Sequence, residues 1–477
     1  MAEKGHFLSK STFIRGVQCL KSLYLNKHRP FLRDRLSPEQ LAKFRRGHEV
    51  GKLAWQLFPG GINCAPGHPS QYAAALEKTR KLIADETSVL YEAAFSHHGV
   101  LVLLDILVKN EQGWHAFEVK SSTSISETYI TDAALQYHVI SGTGLNLNSF
   151  HIIHLNPDFV RDGIPDVHKL FSIQEVTDRL RELESFIVAQ IGKSRETLSL
   201  KHSPSIPTGQ HCFKPYPCDF IGHCWKKTGK DSVYNLTGIP FETRARLATA
   251  GHLTIPEIPA GLLEENDAVI LSSHLSEKDI ADKTGIRKII DGSAAPVFVA
   301  FLIVRPAIPV IDGFRPFGPM VVGLSWSDFQ GNEESFIVEP GENPVIQIRN
   351  KLGQLASESG MIVHAGGKWV GEALSQHYPD LTEKYIFTDL EEIFLSGYFY
   401  RPGLVPDAGI SNIAAFLNLT GPDQINISQV MAGVKYMEAK AENRAQTLRE
   451  LSDALYAEMT SCRSVYYFLK SIINNET

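Results

Sequence analysis

The sequence predicts an α/β protein built in more than one part, and three observations lead there. An apolar run at residues 100–108, interrupted by one carboxylate, is joined by a polar turn to an alternating stretch at 114–120, the pattern of a β-hairpin. Helical periodicity follows at 132–139, and a second set of apolar strands at 297–304, 320–326 and 334–338 precedes a long amphipathic helix expected over 436–470. At 477 residues, with ordinary hydrophobic content, the chain is too long for one typical core.

Taken in order, the chain opens on polar residues 1–4 and holds no uninterrupted apolar run long enough to span a bilayer, so a cytoplasmic protein without a membrane partner is expected. Residues 1–46 carry eleven Lys or Arg against three acids, although the whole chain has a formal net charge of -6. That total excludes a generally basic protein coating nucleic acid, but not a local groove. Lys10, Arg15, Lys21, Lys27, Arg29, Arg33, Arg35, Arg45 and Arg46, interleaved with Phe13, Tyr24 and Phe31, suit a surface that follows a single-stranded backbone and stacks bases. They suit equally a solvated basic helix face whose aromatics belong to the core. His48 comes next, a candidate metal ligand that reads just as well as a satisfied surface histidine.

The strand at 89–95 carries Glu92, and the apolar run after it carries Asp105. Two-residue periodicity puts Glu118 and Lys120 on one face of the second hairpin strand, and pairing with the first can bring Asp105 beside them. Two carboxylates can hold a hard divalent cation such as Mg2+ or Mn2+, while a lysine orients or activates a water for attack on a phosphodiester. An E-x-K alone is weak, because acids and bases alternate on many solvated strands. Here Asp105 stands among apolar residues, where an ionised carboxylate is costly without a compensating partner. The helical stretch at 132–139 could place Gln136 and Tyr137 beside the same point.

Cys212, Cys218 and Cys224 are separated from one another by five residues in a turn-rich, aromatic string, and Cys19 answers them near the chain's start. In a reducing compartment, disulfides are uncommon, which leaves metal ligation: structural zinc, an iron-sulfur cluster, or no metal at all. Cys64 and Cys462 have no partner at ligand spacing and read as small packed hydrophobes.

The order His48, Glu92, Asp105, Glu118-Val119-Lys120 and Gln136-Tyr137, bracketed by one cysteine before and three after, resembles the RecB-like branch of the PD-(D/E)XK nucleases that carry an iron-sulfur cluster. That branch includes the CRISPR-associated exonuclease of spacer acquisition and the nuclease domain of AddB-type helicase-nucleases. The resemblance spans roughly the first half of the chain and implies a restriction-endonuclease-like domain over residues 1–230. It implies further that Asp105 and Glu118 ligate metal, that Lys120 serves the attacking water, that Gln136 supports the site, and that the four cysteines hold a [4Fe-4S] cluster stapling the domain's ends. The even spread of the three late cysteines departs from the best-known relatives, where two lie close together. The activity implied is metal-dependent hydrolysis of DNA, as an exonuclease or trimmer of single strands, with possible protein partners in a repair or defence complex. The rival reading is a non-catalytic nucleic-acid-binding or scaffold subunit. Replacing Asp105 or Glu118 by Ala is expected to abolish cleavage and leave the fold largely intact.

After a polar stretch at 226–231, residues 231–295 read as short helices broken by turns, a helical connector. Residues 296–477, with strands first and helices after, resemble the RNase H-like fold of DEDD-type exonucleases, and the whole chain resembles an uncharacterised bacterial family with the same two-part order. Active members of that class carry Asp-x-Glu on the first strand, where this chain has Ala300-Phe301-Leu302. Asp389-Leu390 matches a later motif, but no carboxylate is expected near Cys462, so this domain reads as an inactive exonuclease-like module.

Overall fold

A computed structural model describes residues 6–290, 295–420 and 427–474; the polar opening at residues 1–4 lies outside them. The chain is mixed α/β and forms two compact units, Met1–Lys227 with Ala307–Pro316, and Thr228–Pro306 with Phe317–Thr477.

In the first unit the order is β1 (Leu8–Ser9), α1 (Lys10–Gln18), α2 (Leu20–His28), α3 (Pro38–Ala54), β2 (Ile62–Asn63), α4 (Tyr72–Ala84), β3 (Val89–His97), β4 (Val100–Asn110) and β5 (Gly113–Lys120). It continues with α5 (Glu127–Gly142), β6 (Leu147–Leu155), α6 (Val167–Leu170), β7 (Phe171–Glu175), α7 (Thr177–Glu182), α8 (Glu184–Ser199) and a short α9 (Ile221–Cys224). The sheet runs β2-β3-β4-β5-β6-β7, with β1 added alongside β4. The expected hairpin is β4 and β5, antiparallel, with Ile106 opposite Phe117 and Lys109 opposite Trp114. The chain from β5 to β6 crosses over through α5, and those two strands are parallel, as such a connection requires. Leu104, Ala116, Phe150 and Ile152 from the strands bury against Ala133, Val139 and Ile140 of α5 and Ile187 of α8.

Two of the aromatic residues offered for base stacking belong to cores instead. Phe13 packs in the main cluster of this unit, and Tyr24 packs with Leu25 and Phe220 beneath the cysteine loop. Phe31 stays out, 78% exposed. α1 buries Phe13 and Gly16, and α2 buries the consecutive Ser22, Leu23, Tyr24 and Leu25, so both rings are taken up by packing.

The second unit begins with α10 (Phe241–Thr249), α11 (Glu265–Ser276), β8 (Ile280–Ala281) and α12 (Lys283–Ile290). Then come β9 (Val297–Val304), β10 (Met320–Ser327), β11 (Glu333–Ile337), α13 (Pro344–Ser359), β12 (Met361–His364), α14 (Gly367–His377), α15 (Pro379–Lys384) and β13 (Ile386–Asp389). It ends with α16 (Glu391–Leu395), β14 (Phe399–Tyr400), α17 (Ile410–Phe416), α18 (Gln429–Met437) and α19 (Arg444–Asn474). Its main sheet is ordered β11-β10-β9-β12-β13, and every residue of the central β9 is buried. An unbroken apolar strand is what a position covered on both faces demands.

The stretch 231–295, expected as a helical connector, falls within this second unit. Val233, Leu236, Ile239, Leu247, Ile286 and Ile290 are buried, Thr237 Oγ1 donates to the Leu404 carbonyl at 2.6 Å, and Arg287 donates to the Ile473 carbonyl at 2.9 Å. The single helix expected over 436–470 is two, α18 and α19. A turn at 438–443 separates them, where the Lys440 N–H donates to Asn443 Oδ1 at 3.0 Å. Asparagine competes for backbone donors in this way and favours turns over helix interiors. Among the described residues no helix is long and apolar enough to cross a membrane.

Candidate functional site

Strand register brings the three sequence-predicted carboxylates into one row. Tyr91 pairs with Ile106 and Ala93 with Leu104, so Glu92 on β3 stands opposite Asp105 on β4. The β4–β5 ladder stops at Ile106 and Phe117, one step before Asp105 and Glu118 would pair. There the strands part, and the N–H of Val119 donates to Asp105 Oδ2 at 2.6 Å in place of a ladder bond. Glu92 adopts φ 53°, the left-handed region that a non-glycine residue enters only under constraint, and such strain gathers at functional sites.

Two lysines and a fourth carboxylate complete the cluster. Lys120 Nζ donates to Glu118 Oε1 at 2.8 Å and to Asp132 Oδ2 at 2.5 Å. Lys10 Nζ, from the first residue of α1, donates to the same Glu118 oxygen at 2.7 Å and lies 4.0 Å from Asp132 Oδ2. Burial raises the cost of charge on Glu118, but Lys10 and Lys120 overcome it and hold the carboxyl far below the usual range. Asp105 goes the other way: burial and then the neighbouring Glu118 push it well above a normal aspartate, with Lys10 opposing. Glu92 is raised by burial and by Glu118, against Lys10 and His48.

The structure extends and sorts the predicted set. Asp132 and Gln136, four residues apart on α5, share the face toward the carboxylates, whereas Tyr137 lies about 100° around the helix. Its hydroxyl accepts from Arg181 of α7 at 3.1 Å, so Tyr137 is not brought to the cluster. Gln136 is fully buried with neither amide atom bonded. His48 is exposed on α3 with Nδ1 2.8 Å from the Phe44 carbonyl, an arrangement that leaves Nε2 open. Sequence reasoning missed Lys10 and Asp132 as site residues; the four-residue helical step from Asp132 to Gln136 was the available signal for the second.

The four clustered cysteines of the sequence line one cavity. Cys19 closes α1, and Cys212, Cys218 and Cys224 come from the late loop; the cavity they line is small, about 20 Å3, partly open to solvent, and walled by Ile206, Pro207, Phe220 and Ile221. Burial, and then Cys218 and Cys212 nearby, push the Cys19 thiol up. Gln18 holds the loop by donating to the carbonyls of His211 and Tyr216, each at 2.7 Å, and Arg15 and Arg33 both bond Asp219. Cys64 and Cys462 are buried elsewhere.

The two sites touch. Tyr216, from the cysteine loop, is raised to about 12 by burial and by its hydrogen bond with Tyr129, and it feels Lys120 and Asp132. Tyr129 in turn lies with its ring 5.1 Å from Lys120 Nζ.

Among the described residues no three or more His, Cys, Asp or Glu close around a point where they would hold a metal ion. The chemistry of the donors still fits a hard cation at the carboxylates: Glu118 Oε2 and Asp132 Oδ1 are buried without partners, and Asp105 carries an unfavourable charge. At the cysteines, four thiols in a cavity also lined by His211, Ser22 and apolar side chains fit a soft metal centre.

In the second unit, β9 presents buried Ala300, Phe301 and Leu302 with no acid among them. Asp389 ends β13 opposite His364. Contrary to expectation, a carboxylate does lie near Cys462, because Glu458 sits one turn earlier on α19, and Glu458, Asp389 and Glu391 all act on its thiol after burial. Burial pushes Glu391 and Glu458 each up to about 7.

No protein-family model and no curated protein matches the chain. Among solved structures it is similar to the family B DNA polymerase from the hyperthermophilic archaeon Pyrobaculum calidifontis, with 12% identity and a TM-score of 0.25 over 37% of this chain and 24% of that one. The match thus spans about a quarter of the polymerase, and likeness at this level carries no argument about function.

Proposed function

We propose that the first unit is a divalent-metal-dependent DNA nuclease of the RecB-like, restriction-endonuclease-like type, acting on ends or single strands. The observation that carries the reading is the row Glu92, Asp105, Glu118 at the point where β4 and β5 part, with Lys120 beside it and Glu118 Oε2 left without a partner. Asp105 and Glu118, with His48 Nε2 in reserve, would hold Mg2+ or Mn2+. The bound cation would polarise a phosphate oxygen and acidify a water. Lys120, kept charged by Glu118 and Asp132, donates hydrogen bonds rather than taking a proton, so it orients the attacking water and stabilises negative charge on the phosphate.

Support for a nucleic-acid substrate comes from the arm around α3. Phe31 is 78% exposed and Phe44 is 52% exposed, among Arg29, Arg33, Arg35, Lys43 and Arg45. Apolar rings left in water beside cations suit base stacking on a single strand.

The four cysteines would hold a [4Fe-4S] cluster. Support for a soft metal centre there is that Cys19, Cys212, Cys218 and Cys224 line one cavity, and the choice of the cluster over zinc follows the resemblance to the iron-sulfur nucleases. We read the second unit as an RNase H-like, exonuclease-like module without its first-strand acids, kept for binding or assembly.

The deciding experiment incubates labelled single-stranded and duplex DNA with the whole chain and Mn2+ or Mg2+. Metal-dependent shortening that Glu118→Gln removes supports the nuclease; DNA binding without cleavage in either metal supports the non-catalytic subunit.

A further inference from the structure

We propose that Lys10 is the phosphate-binding residue of this site, parked on Glu118 until a phosphodiester arrives; the inference rests on the nuclease reading and assigns its substrate contact. Lys10 is the most exposed of the four ion-paired residues. Its side chain is 29% exposed, against 14% for Lys120, 8% for Asp132 and 2% for Glu118, so it stands on the solvent side of Glu118 and Asp132, where a substrate would meet it.

Stability does not explain its position. Lys10 is the first residue of α1, a helix with no acid in its first turn, and a cation at a helix N-terminus opposes the macrodipole by about 0.3–1 kcal/mol. Its bond to Glu118 duplicates one that Lys120 already makes to the same oxygen. Lys120 is held from two sides, by Glu118 and Asp132 at hydrogen-bond distance, while Lys10 has one such partner and stands 4.0 Å from the other. Lys10 is therefore the ammonium that can leave.

Charge balance supplies the trigger. Glu92, Asp105, Glu118 and Asp132 face two lysines, so the full complement of ionised carboxylates exceeds the ammonium charge by that of one divalent cation. When a cation neutralises Glu118 and Asp105, the hold on Lys10 weakens, and its flexible stem can carry the ammonium to a non-bridging phosphate oxygen. The N-terminal N–H groups of α1 add positive potential at the same place.

The test compares wild type, Lys10→Met and Lys10→Arg as whole chains. Mn2+ binding is measured by calorimetry without DNA, and KM and kcat on a single-stranded oligonucleotide over a range of salt. Lys10→Met should bind Mn2+ at least as tightly as wild type, because a competing cation is gone. Its KM should rise about tenfold, and the slope of log KM against log salt should flatten by about 0.7 to 1, the signature of one lost phosphate contact. Lys10→Arg, which keeps the charge, should restore the slope and serves if the Met variant fails to fold. Unchanged KM and salt slope in Lys10→Met, with an active wild type, would overturn the inference alone. Loss of Mn2+ binding in step with activity would also overturn it, since Lys10 would then only brace Glu118. A wild type inactive on DNA with Mn2+ would overturn this inference and the nuclease reading together.

Discussion

Asp105 and Glu118 look interchangeable as the acids proposed to hold metal, yet their surroundings predict unequal effects on folding. Glu118 is the shared anion of two ammonium groups, with 2% of its side chain exposed. Glu118→Gln strips the charge from under Lys10 and Lys120 and leaves two cations facing one another. Removing one partner of a buried ion pair costs about 3–5 kcal/mol. Here Asp132 still holds Lys120, and Lys10 is partly wet, so about 2–3 kcal/mol is expected. Asp105→Asn is different. Burial and Glu118 already penalise the ionised carboxylate, Asn imitates its protonated form, and the amide oxygen still accepts from the Val119 N–H. A change within about 1 kcal/mol is expected. For a unit of this size the gap of about 2 kcal/mol corresponds to about 4–8 °C in Tm. Circular dichroism melts at pH 7 without divalent metal, following the transition of the first unit, give the comparison. Asp105→Asn melting as low as Glu118→Gln would refute the reasoning, because the cluster's charges would then not be arranged as described. Both variants should be inactive in cleavage.

Phe31→Ala and Phe44→Ala should each weaken single-stranded DNA binding by about 1–3 kcal/mol in a fluorescence anisotropy titration, with Tm unchanged because both rings are largely exposed; tighter or equal binding would count against the stacking arm. Cys19→Ser should cost the anaerobically purified protein its iron and visible absorbance, while Cys64→Ser, buried away from the cavity, should not; stoichiometric zinc without iron in wild type would rule out the cluster. In the second unit, Glu391 and Glu458 titrate near 7 when folded, above the ordinary glutamate value of 4.5. Folding therefore takes up protons between about pH 4.5 and 7, so the unit's Tm should fall as pH rises through that window. Glu458→Gln should flatten the decline and raise Tm at pH 8.

The hairpin was legible because a carboxylate inside an apolar run is costly, and strand periodicity then fixes which residues share its face. Glu92, Asp105, Glu118 and Lys120 follow from local pattern, and so do the four cysteines from their spacing. Lys10 does not. It lies 108 residues from Glu118, in a basic stretch whose composition says groove rather than site, and only the pairing of β1 with β4 places it. Gln136 and Tyr137 share one helical stretch, and the phase of α5 turns only Gln136 toward the carboxylates. The turn-broken stretch 231–295 hid its buried residues among prolines and short helices, so it read as a connector. Replacing Glu118 by Ala reads as harmless to the fold only while its two cations are unseen.

Helix α1 spans nine residues, with Lys10 at its start and Cys19 capping its end. Its inward face is Phe13 and Gly16, and a methyl on Gly16 would meet Leu23 Cδ2 and Ser194 Oγ, each at 3.0 Å. A random-mutagenesis screen scored on cleavage would therefore collect hits at Phe13 and Gly16 that touch neither carboxylate nor thiol. Such a hit shifts both ends of one short rod together, and an investigator mapping lost activity alone would enlarge the catalytic site to include positions whose real work is alignment.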